Sequence, residues 1–368
     1  MKIISIQGKN FKNYEFFDLR CDAQCVGISG ANSTGKTTLL DAIHYIGLTK
    51  SFLQTSDKDC IKYGENYFHL QADVQSENEN FLDTIFIYAD LQKGKKIKVN
   101  DKWLSRFSSH IGFLPIILIS PADISIVSDS AEYRRKFFDA FISQFDPKYL
   151  SNLIEFNKIL AQRNALLKQP QTAHFTYQLD FFDQKLIETS LYIHEHRKHF
   201  VNEVNEKLPT IHQQLTHTSH VIEIQYQSSL LEEDYTLQLK RNLKRDIELG
   251  YTEKGIHRDE YHFLIDGYSL RKYGSQGQQK TFLLALKIAQ YQETALRLHK
   301  KPLFLLDDIF DKLDEFRIKN LFDMLSQLNV DQLFITDTSE NRLRNFLAIF
   351  SSQKLFFLEN PGIIKEIK

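Results

Sequence analysis

The sequence has few cysteines and no long apolar run. Cys21 and Cys25 have a spacing seen in metal sites, but no second pair of Cys or His lies near them, and Cys60 stands apart. We therefore expect Cys21 and Cys25 to be buried strand residues in a reducing cytosol. No apolar stretch approaches 18 residues, and no basic stretch followed by an apolar core stands at the N-terminus. Both absences favour a cytoplasmic protein with no membrane partner.

An excess of charge of either sign is also missing. The chain has 46 basic and 47 acidic residues, a net charge of −1. This balance argues against a protein that coats nucleic acid by its overall charge, so any basic surface must be local. With 368 residues, of which 42% are hydrophobic, the chain can form two or three domains with substantial cores.

One glycine-containing segment carries the clearest motif. Residues 30–37 read GANSTGKT and fit G-x-x-x-x-G-K-[ST] between a strand candidate, Cys25–Ser29, and a helical run. Such a loop directs backbone N–H groups at an anion, and the helix N-terminus adds its dipole. A plain glycine turn before a helix shares the pattern, but the strand–loop–helix context favours a nucleoside triphosphate site. The predicted contacts are Gly30, Ala31, Asn32, Ser33, Thr34, Gly35, Lys36, Thr37 and Thr38.

An acidic pair supplies the second half of this site. Four apolar residues, 303–306, run directly into Asp307 and Asp308. P-loop enzymes hold Mg²⁺ with a carboxylate at the end of a buried strand, so we assign Asp307 and Thr37 to the metal and Lys36 to the β- and γ-phosphates. Asp308 is the candidate general base, because burial and a like-charged neighbour can raise a carboxyl pKa. Alone, the pair would be better explained as a strand end before an acidic helix start; together with the phosphate loop, it favours the metal site.

The pattern of apolar residues divides the chain into three segments. Residues 1–125 are rich in strand patterns, 126–239 have long helical periodicity, and 240–368 return to alternating strands and helices. The helical series Leu150–Leu167 has coiled-coil spacing with two Asn at a-type positions, and a second series ends at Pro209. Two such runs predict an antiparallel helical hairpin that projects as an arm; a helical subdomain packed flat is the alternative. We predict an α/β P-loop ATPase head, split in sequence by the helical segment.

The segment Ser275–Lys280, SQGQQK, stands just before a helix. Ser275 and Gly277 suit a helix N-cap loop that can face an anion. Alone, a capped helix start explains the segment. Its place between the phosphate loop and the acidic pair indicates a further role.

The order of these motifs resembles a known family. Phosphate loop, S-Q-G-Q-Q, apolar-Asp-Asp and then Asp311-Lys312-Leu313-Asp314 is similar to the ABC-type ATPase heads of SMC-like repair proteins. The match is closest to the RecF family of bacterial recombination mediators and covers nearly the whole chain. The segments that carry it include Gly8–Tyr14, Ser120–Asp123, Arg134–Asp139, Gln162–Leu167, His257–Asp259 and Ser275–Lys280.

The resemblance implies a mechanism in which two copies pair. In such heads a segment called the signature, here Ser275–Lys280, closes over the nucleotide held by the other subunit. Ser275, Gln276 and Gly277 would then contact the γ-phosphate in an ATP-dependent homodimer, and Asp314 would couple the two sites. The resemblance further implies a weak, DNA-dependent ATPase that uses ATP and Mg²⁺ mainly as a conformational switch.

The sequence departs from the family pattern at three places. Ser33 stands where the family usually has Gly, and Asp308 replaces the Glu common in related transporters. No His follows the strand Leu333–Ile335, so Thr336 or Asp337 must occupy the switch position on the γ-phosphate side. A Q-loop glutamine after Ile119 cannot be placed from the sequence.

Partners are also implied by the resemblance. Family members bind double-stranded DNA near single-strand gaps, and single-stranded DNA, in repair, replication and the SOS response; they act with RecR and RecO in loading RecA. The sequence offers three basic clusters, each of which, taken alone, fits a solvated face better than a DNA surface: Lys93–Lys98, Arg134–Lys136 and Lys240–Arg245.

Three other functions share part of this pattern. An SMC-like head for another DNA process, such as the partner of an overcoming-lysogenization nuclease, remains an alternative. A transporter ATPase subunit fits poorly because of the long insertion and the SQGQQ sequence. His257-Arg258-Asp259 resembles the start of a kinase catalytic loop, but Leu264 stands where that loop requires Asn, which excludes a kinase.

Overall fold

Two stretches of chain that are far apart in sequence fold together. The computed structural model describes residues 1–54, 56–76, 81–170, 174–310, 314–360 and 362–367. The chain divides into a head unit, formed by Met1–Asp123, Gln214–Thr216 and Leu283–Lys368, and an inserted unit, formed by Ile124–Gln213 and His217–Phe282. The fold is α/β, and the head is split in sequence as predicted.

The first sheet of the head unit is antiparallel, with strand order β2-β1-β4-β5-β6-β7. Alternate residues of its strands are buried, for example Phe68 and Leu70, because successive side chains point to opposite faces of a sheet. The buried face packs in one core with α1. The elements are β1 (Lys2–Phe11), β2 (Tyr14–Arg20), α1 (Lys36–Leu48), β4 (Tyr67–Gln75), β5 (Leu82–Asp90), β6 (Gly94–Val99) and β7 (Lys102–Trp103).

The second sheet of the head unit has the order β15-β14-β3-β13-β12-β8, and all its pairs are parallel except β14 with β15. Its strands β3, β12 and β13 are short and buried at every residue, as expected for strands covered on both faces. The carboxyl ends of β3, β12 and β13 therefore meet at one edge. The elements are β3 (Cys25–Gly30), β8 (Ile116–Ile119), β12 (Leu303–Leu306), α9 (Glu315–Gln327), β13 (Leu333–Asp337), α10 (Glu340–Leu347), β14 (Gln353–Asn360) and β15 (Ile363–Ile367).

The inserted unit is mainly helical, with a small antiparallel sheet of order β11-β10-β9. Its long helices α4 and α5 run antiparallel, because Arg163 meets Asp183 while Tyr149 meets Arg197. The elements are α2 (Ile124–Ser128), α3 (Ala131–Phe145), α4 (Pro147–Leu167), α5 (Phe175–Thr216), β9 (Ile222–Gln227), α6 (Tyr235–Leu249), β10 (Glu260–Ile265), β11 (Tyr268–Ser269), α7 (Leu270–Tyr273) and α8 (Gln276–Leu298), whose last part belongs to the head unit.

Three expectations about the inserted segment need correction. The buried face of α4 is displaced from the predicted a/d series, since Asn157 is exposed and the buried positions are Tyr149, Phe156, Ile159, Arg163, Leu166 and Leu167. The predicted series consisted of leucines and two asparagines, whereas aromatic rings and an ion-paired arginine occupy much of the observed seam. Helix α5 continues past Pro209 to Thr216, because Ile211 and Leu215 are buried and prolong its apolar face.

The second boundary also differs from the expected one. The inserted unit extends to Phe282 instead of ending at residue 239. The reason lies in strand β10 and the residue before it. Tyr261 of β10 stacks on Phe138 of α3 with ring centroids 4.0 Å apart, and Asp259, next to the strand, pairs with Arg197 of α5 at 2.7 Å. The signature segment therefore belongs to the inserted unit and not to the head unit.

Candidate nucleotide site

The phosphate loop joins β3 to α1 with an uncapped helix start. Gly35 occupies the N-cap position with φ 102°, so the cap residue supplies no side-chain hydrogen bond to the first turn of α1, and that turn has no acidic residue. The free N–H groups of that turn and the helix dipole favour an anion. A Cβ at Gly35 would lie 2.6 Å from the hydroxyl oxygen of Tyr14, so both the positive φ and the close contact require glycine. Tyr14, in the opening hairpin, was not identified from the sequence.

Ser33, which stands where the family usually has Gly, adopts a backbone conformation that favours glycine. Its φ is 67°, in the left-handed region that an L-residue enters at a cost of about 1–2 kcal/mol. The loop therefore keeps the geometry that glycine would give and stores a small strain at an exposed position.

The side chain of Lys36 lies within the loop that it belongs to. Its ammonium donates hydrogen bonds to the carbonyl oxygens of Gly30, at 2.7 Å, and Ala31, at 2.9 Å. Burial lowers the pKa of Lys36, while the nearby carboxylates of Asp308 and Asp307 act in the opposite direction. The ammonium is thus held beside the space that the loop encloses, where a phosphate would meet it.

Asp307 is the centre of the acidic edge. Its Oδ1 accepts hydrogen bonds from the hydroxyls of Thr37, at 3.0 Å, and Thr336, at 2.8 Å. Burial raises the pKa of the Asp307 carboxyl, and the two hydroxyls and Lys36 lower it by less. One carboxylate and two hydroxyl oxygens gathered beside a phosphate loop are the hard oxygen donors that Mg²⁺ prefers, so the residues fit this metal.

Asp308 and Thr336 are held to each other through the backbone. The N–H of Asp308 donates to Thr336 Oγ1 at 3.0 Å, and Asp308 has φ 49°. Because Thr336 Oγ1 also donates to Asp307, a single buried hydroxyl fixes both acidic residues. The structure thus brings the predicted switch threonine to the acidic pair.

Asp337 is engaged by an arginine that the sequence did not single out. Arg342, in α10, donates to both carboxylate oxygens of Asp337, at 2.5 and 2.6 Å, and its guanidinium lies over the ring of Phe310. Asp337 is completely buried. The sequence does not show that Asp337 and Arg342 pair, because the pairing depends on where β13 ends.

Asp123 fixes the family segment Ser120–Asp123 within the head unit. Its Oδ2 accepts from the N–H of Ser120, and its Oδ1 accepts from the ammonium of Lys287 at 2.9 Å. Lys287 is buried in α8. The N–H of Asp307 donates to the carbonyl oxygen of Ile119, the last residue of β8. The segment Ser120–Asp123 therefore begins next to the acidic pair.

The signature segment forms a capping box at the start of α8. The hydroxyl of Ser275 accepts from the N–H of Gln278 at 3.2 Å, and the side chain of Gln278 accepts from the N–H of Ser275 at 2.8 Å. Ser275 and Gln276 are exposed, and Gly277 is half-buried. The predicted helix N-cap is confirmed.

Asp314 has a structural partner. It caps α9 by accepting from the N–H of Arg317 at 2.9 Å, and it also pairs with the Arg317 guanidinium. The hydrogen bond from the Arg317 N–H contributes most to lowering the pKa of Asp314, and the Arg317 guanidinium lowers it further. The remainder of the predicted coupling loop, Asp311–Leu313, lies outside the described residues.

Family segments in the inserted unit supply buried ion pairs. Arg197 is fully buried and donates to both oxygens of Asp139, at 2.8 and 2.9 Å, and to Asp259 at 2.7 Å. Burial raises the pKa of Asp259, although Arg197 opposes this. Arg163 likewise pairs with Asp246 at 2.7 Å, besides Asp183. Asp139, Arg163 and Asp259 therefore stabilise the unit, whereas Arg258 is exposed and stacks over Tyr251.

Ion pairs within the protein occupy part of each predicted basic cluster. Lys240 and Lys244, by contrast, are exposed on α6 without a carboxylate partner among the described residues. The paired residues are Lys95 with Asp57, Lys98 with Asp101, Lys136 with Glu132, Arg241 with Glu233 and Arg245 with Glu253.

All three cysteines are buried and free, and burial raises the pKa of Cys21 to about 12 and that of Cys60 to about 11. The described residues include no group of three or more His, Cys, Asp or Glu that could hold a metal by themselves. Within the same residues, every helix is too short or too polar to cross a bilayer.

Comparison with known proteins agrees with this site. The family model described as "RecF/RecN/SMC N terminal domain" matches residues 2–355. "DNA replication and repair protein RecF" of Flavobacterium johnsoniae is 39% identical, covering 90% of this chain and 93% of that protein; its namesake in Cytophaga hutchinsonii is 35% identical over 100% and 97%.

Solved structures give the same result. "Structure of the recombination mediator protein RecF-ATP in RecFOR pathway" has a TM-score of 0.89 and 29% identity, covering 100% of this chain and 97% of that one. An Smc head bound to part of ScpA is similar in fold alone, with a TM-score of 0.59 and 14% identity. The chain belongs to the RecF family.

Proposed function

We propose that this protein is an ATP-dependent DNA-binding protein of replication and recombinational repair, in which nucleotide joins two copies into a clamp on double-stranded DNA near single-strand gaps. The observation that carries the proposal is the arrangement of Lys36, Thr37, Asp307 and Thr336 at one sheet edge. Relatives named for DNA replication and repair, and a relative solved with ATP, support the assignment of this arrangement to ATP.

The residues have distinct roles in this proposal. Lys36 and the loop N–H groups bind the phosphates. Thr37 and Asp307 would hold Mg²⁺, which would supply positive charge at the terminal phosphate. Asp308 orients and deprotonates the attacking water, with Thr336 fixing its backbone. Slow hydrolysis then releases the pair, so ATP acts mainly as a switch.

Pairing is proposed from the exposed signature. Ser275 and Gln276 are exposed at the start of a helix, where the helix dipole favours an anion, as a segment that contacts a partner's nucleotide requires. In this family role the clamp works with RecR and RecO to help load RecA, inside the cytoplasm. An SMC-like head for another DNA process is the alternative, and the full-length match to RecF relatives disfavours it.

A mixing experiment tests the composite site. Ser275→Arg should spare ATP binding by single copies and prevent pairing with ATP, Mg²⁺ and gapped duplex, whereas Ser151→Arg, at an exposed position of α4, should pair normally. Mixing Lys36→Ala with Ser275→Arg chains leaves one intact loop facing one intact signature. Partial recovery of pairing, measured by light scattering during gel filtration, supports the proposal; no recovery would mean that the signature acts on its own chain's nucleotide.

A further inference from the structure

The inserted unit contains a basic cleft, whereas the phosphate loop belongs to the head unit. It has a volume of about 310 Å³ and opens along β10, between the start of α3 and the short helix α7. Its polar and charged lining consists of Arg134, Glu260, His262, Ser269, Arg271 and Lys272. Three permanent cations therefore face one carboxylate.

Arg134 is the built part of this cleft. Arg134 is only 6% exposed, yet its side chain lines the cleft. One guanidinium nitrogen donates to the carbonyl oxygen of Asp129 at 2.9 Å, and Nε has no hydrogen-bond partner among the described residues. Burying a guanidinium with so few partners is unfavourable unless an acceptor completes its hydrogen bonds.

The other cations add to this imbalance. Arg271 and Lys272 are exposed on α7. Across the ranges that the structure describes, no carboxylate lies within ion-pair distance of either residue or of Arg134. Burial lowers the pKa of Arg134, Glu260 opposes this, and the positive charge of Arg271 lowers it further. The local charges repel each other, so an anion would relieve the repulsion.

We propose that this cleft binds a phosphate group. A phosphate presents several acceptor oxygens and up to two negative charges, which matches a guanidinium fork, a second arginine, a lysine and the Ser269 hydroxyl. The volume exceeds what a phosphate ion needs, so the group can be carried by a nucleic-acid strand or be free phosphate. Lys272 lies on α7, which Gly274 and Ser275 connect directly to α8, so an occupant would bear on the signature segment.

The first arm of the test uses inorganic phosphate. Thermal unfolding is followed with phosphate or chloride at equal ionic strength for the wild type, for Arg271→Gln/Lys272→Gln and for the control Lys158→Gln/Lys198→Gln, which loses the same charge from exposed positions of α4 and α5 outside the three basic clusters. All three chains have the same phosphate loop, so its contribution cancels. We expect phosphate to raise the Tm of the wild type and the control by several degrees, and of the cleft variant by less than half as much.

The second arm uses a fluorescent 30-base-pair duplex and rests on the proposed function. We expect the slope of log K against log[salt] to fall by about two in the cleft variant and to stay unchanged in the control, since each lost phosphate contact removes about one unit. Loss of the Tm effect without a change of slope assigns the cleft to free phosphate. Equal behaviour of the two variants in both arms overturns the proposal. If the wild type does not bind duplex, the proposed function fails, while the phosphate arm still decides the cleft.

Discussion

The hydroxyl of Thr37 and the carboxylate of Asp307 lie 3.0 Å apart although 270 positions separate them in sequence. The contact joins the helix after β3 to the end of β12. Parallel strands bring their carboxyl ends to one edge, so the pairing of the two sequence halves creates the site. Four substitutions test it.

Lys36→Ala should weaken ATP binding by about 30- to 150-fold, because a charge-assisted hydrogen bond to phosphate contributes about 2–3 kcal/mol. It should also abolish nucleotide-dependent pairing. Equilibrium binding of a fluorescent ATP analogue measures the change, with Lys96→Ala, an exposed lysine of the head unit, as the control. Wild-type affinity in Lys36→Ala would remove this lysine from the site.

Asp307→Asn should make the nucleotide-free protein more stable at neutral pH, by about 1 kcal/mol, and abolish Mg²⁺-dependent ATP binding. Burial raises the pKa of Asp307 in the folded state. Ionising it therefore costs stability above that raised pKa, and the cost disappears as the pH falls below the unfolded value, near about 3.9.

Urea unfolding at several pH values measures this cost. The advantage of Asp307→Asn should shrink as the pH is lowered. In the wild type, Mg²⁺-dependent ATP affinity should weaken over the range where Asp307 becomes protonated. A variant less stable than the wild type at neutral pH would contradict the burial argument.

Asp308→Asn should bind ATP and pair but hydrolyse it at least about 100-fold more slowly, because a positioned general base contributes about 10²–10⁴-fold. Phosphate release under single-turnover conditions gives the rate, and light scattering gives the fraction that stays paired. If Asp308→Asn turns over at the wild-type rate, another group is the base.

Thr336→Val removes the hydroxyl that fixes both acidic residues while keeping the side-chain shape. We expect the Mg²⁺ concentration required for ATP binding to rise about tenfold, the effect of about 1.4 kcal/mol. Thr336→Ser should restore the wild-type requirement, since it keeps the hydroxyl. A loss of stability with an unchanged Mg²⁺ requirement would show that Thr336 serves packing alone.

The sequence predicts the head more completely than the inserted unit. The loop, the acidic pair and the capped signature follow from local patterns, since each needs specific residues at fixed spacing. Tyr14, Lys287 and Arg342 escape prediction because their partners depend on sheet order. The seam of α4 and the unit boundary at Phe282 depend on Arg163 and Arg197, which are polar residues that no apolar periodicity places in a core.

The role of Asp259 is therefore open to a direct test. Asp259→Asn leaves the buried guanidinium of Arg197 with Asp139 as its remaining carboxylate partner, and losing one partner of a buried pair costs about 3–5 kcal/mol. Urea unfolding should show a loss of this order, whereas Asp180→Asn, at an exposed position of α5, should change stability little. The folded fraction of Asp259→Asn should bind ATP normally, because Asp259 lies in the inserted unit. Unchanged stability combined with impaired ATP binding would instead assign Asp259 to the nucleotide site.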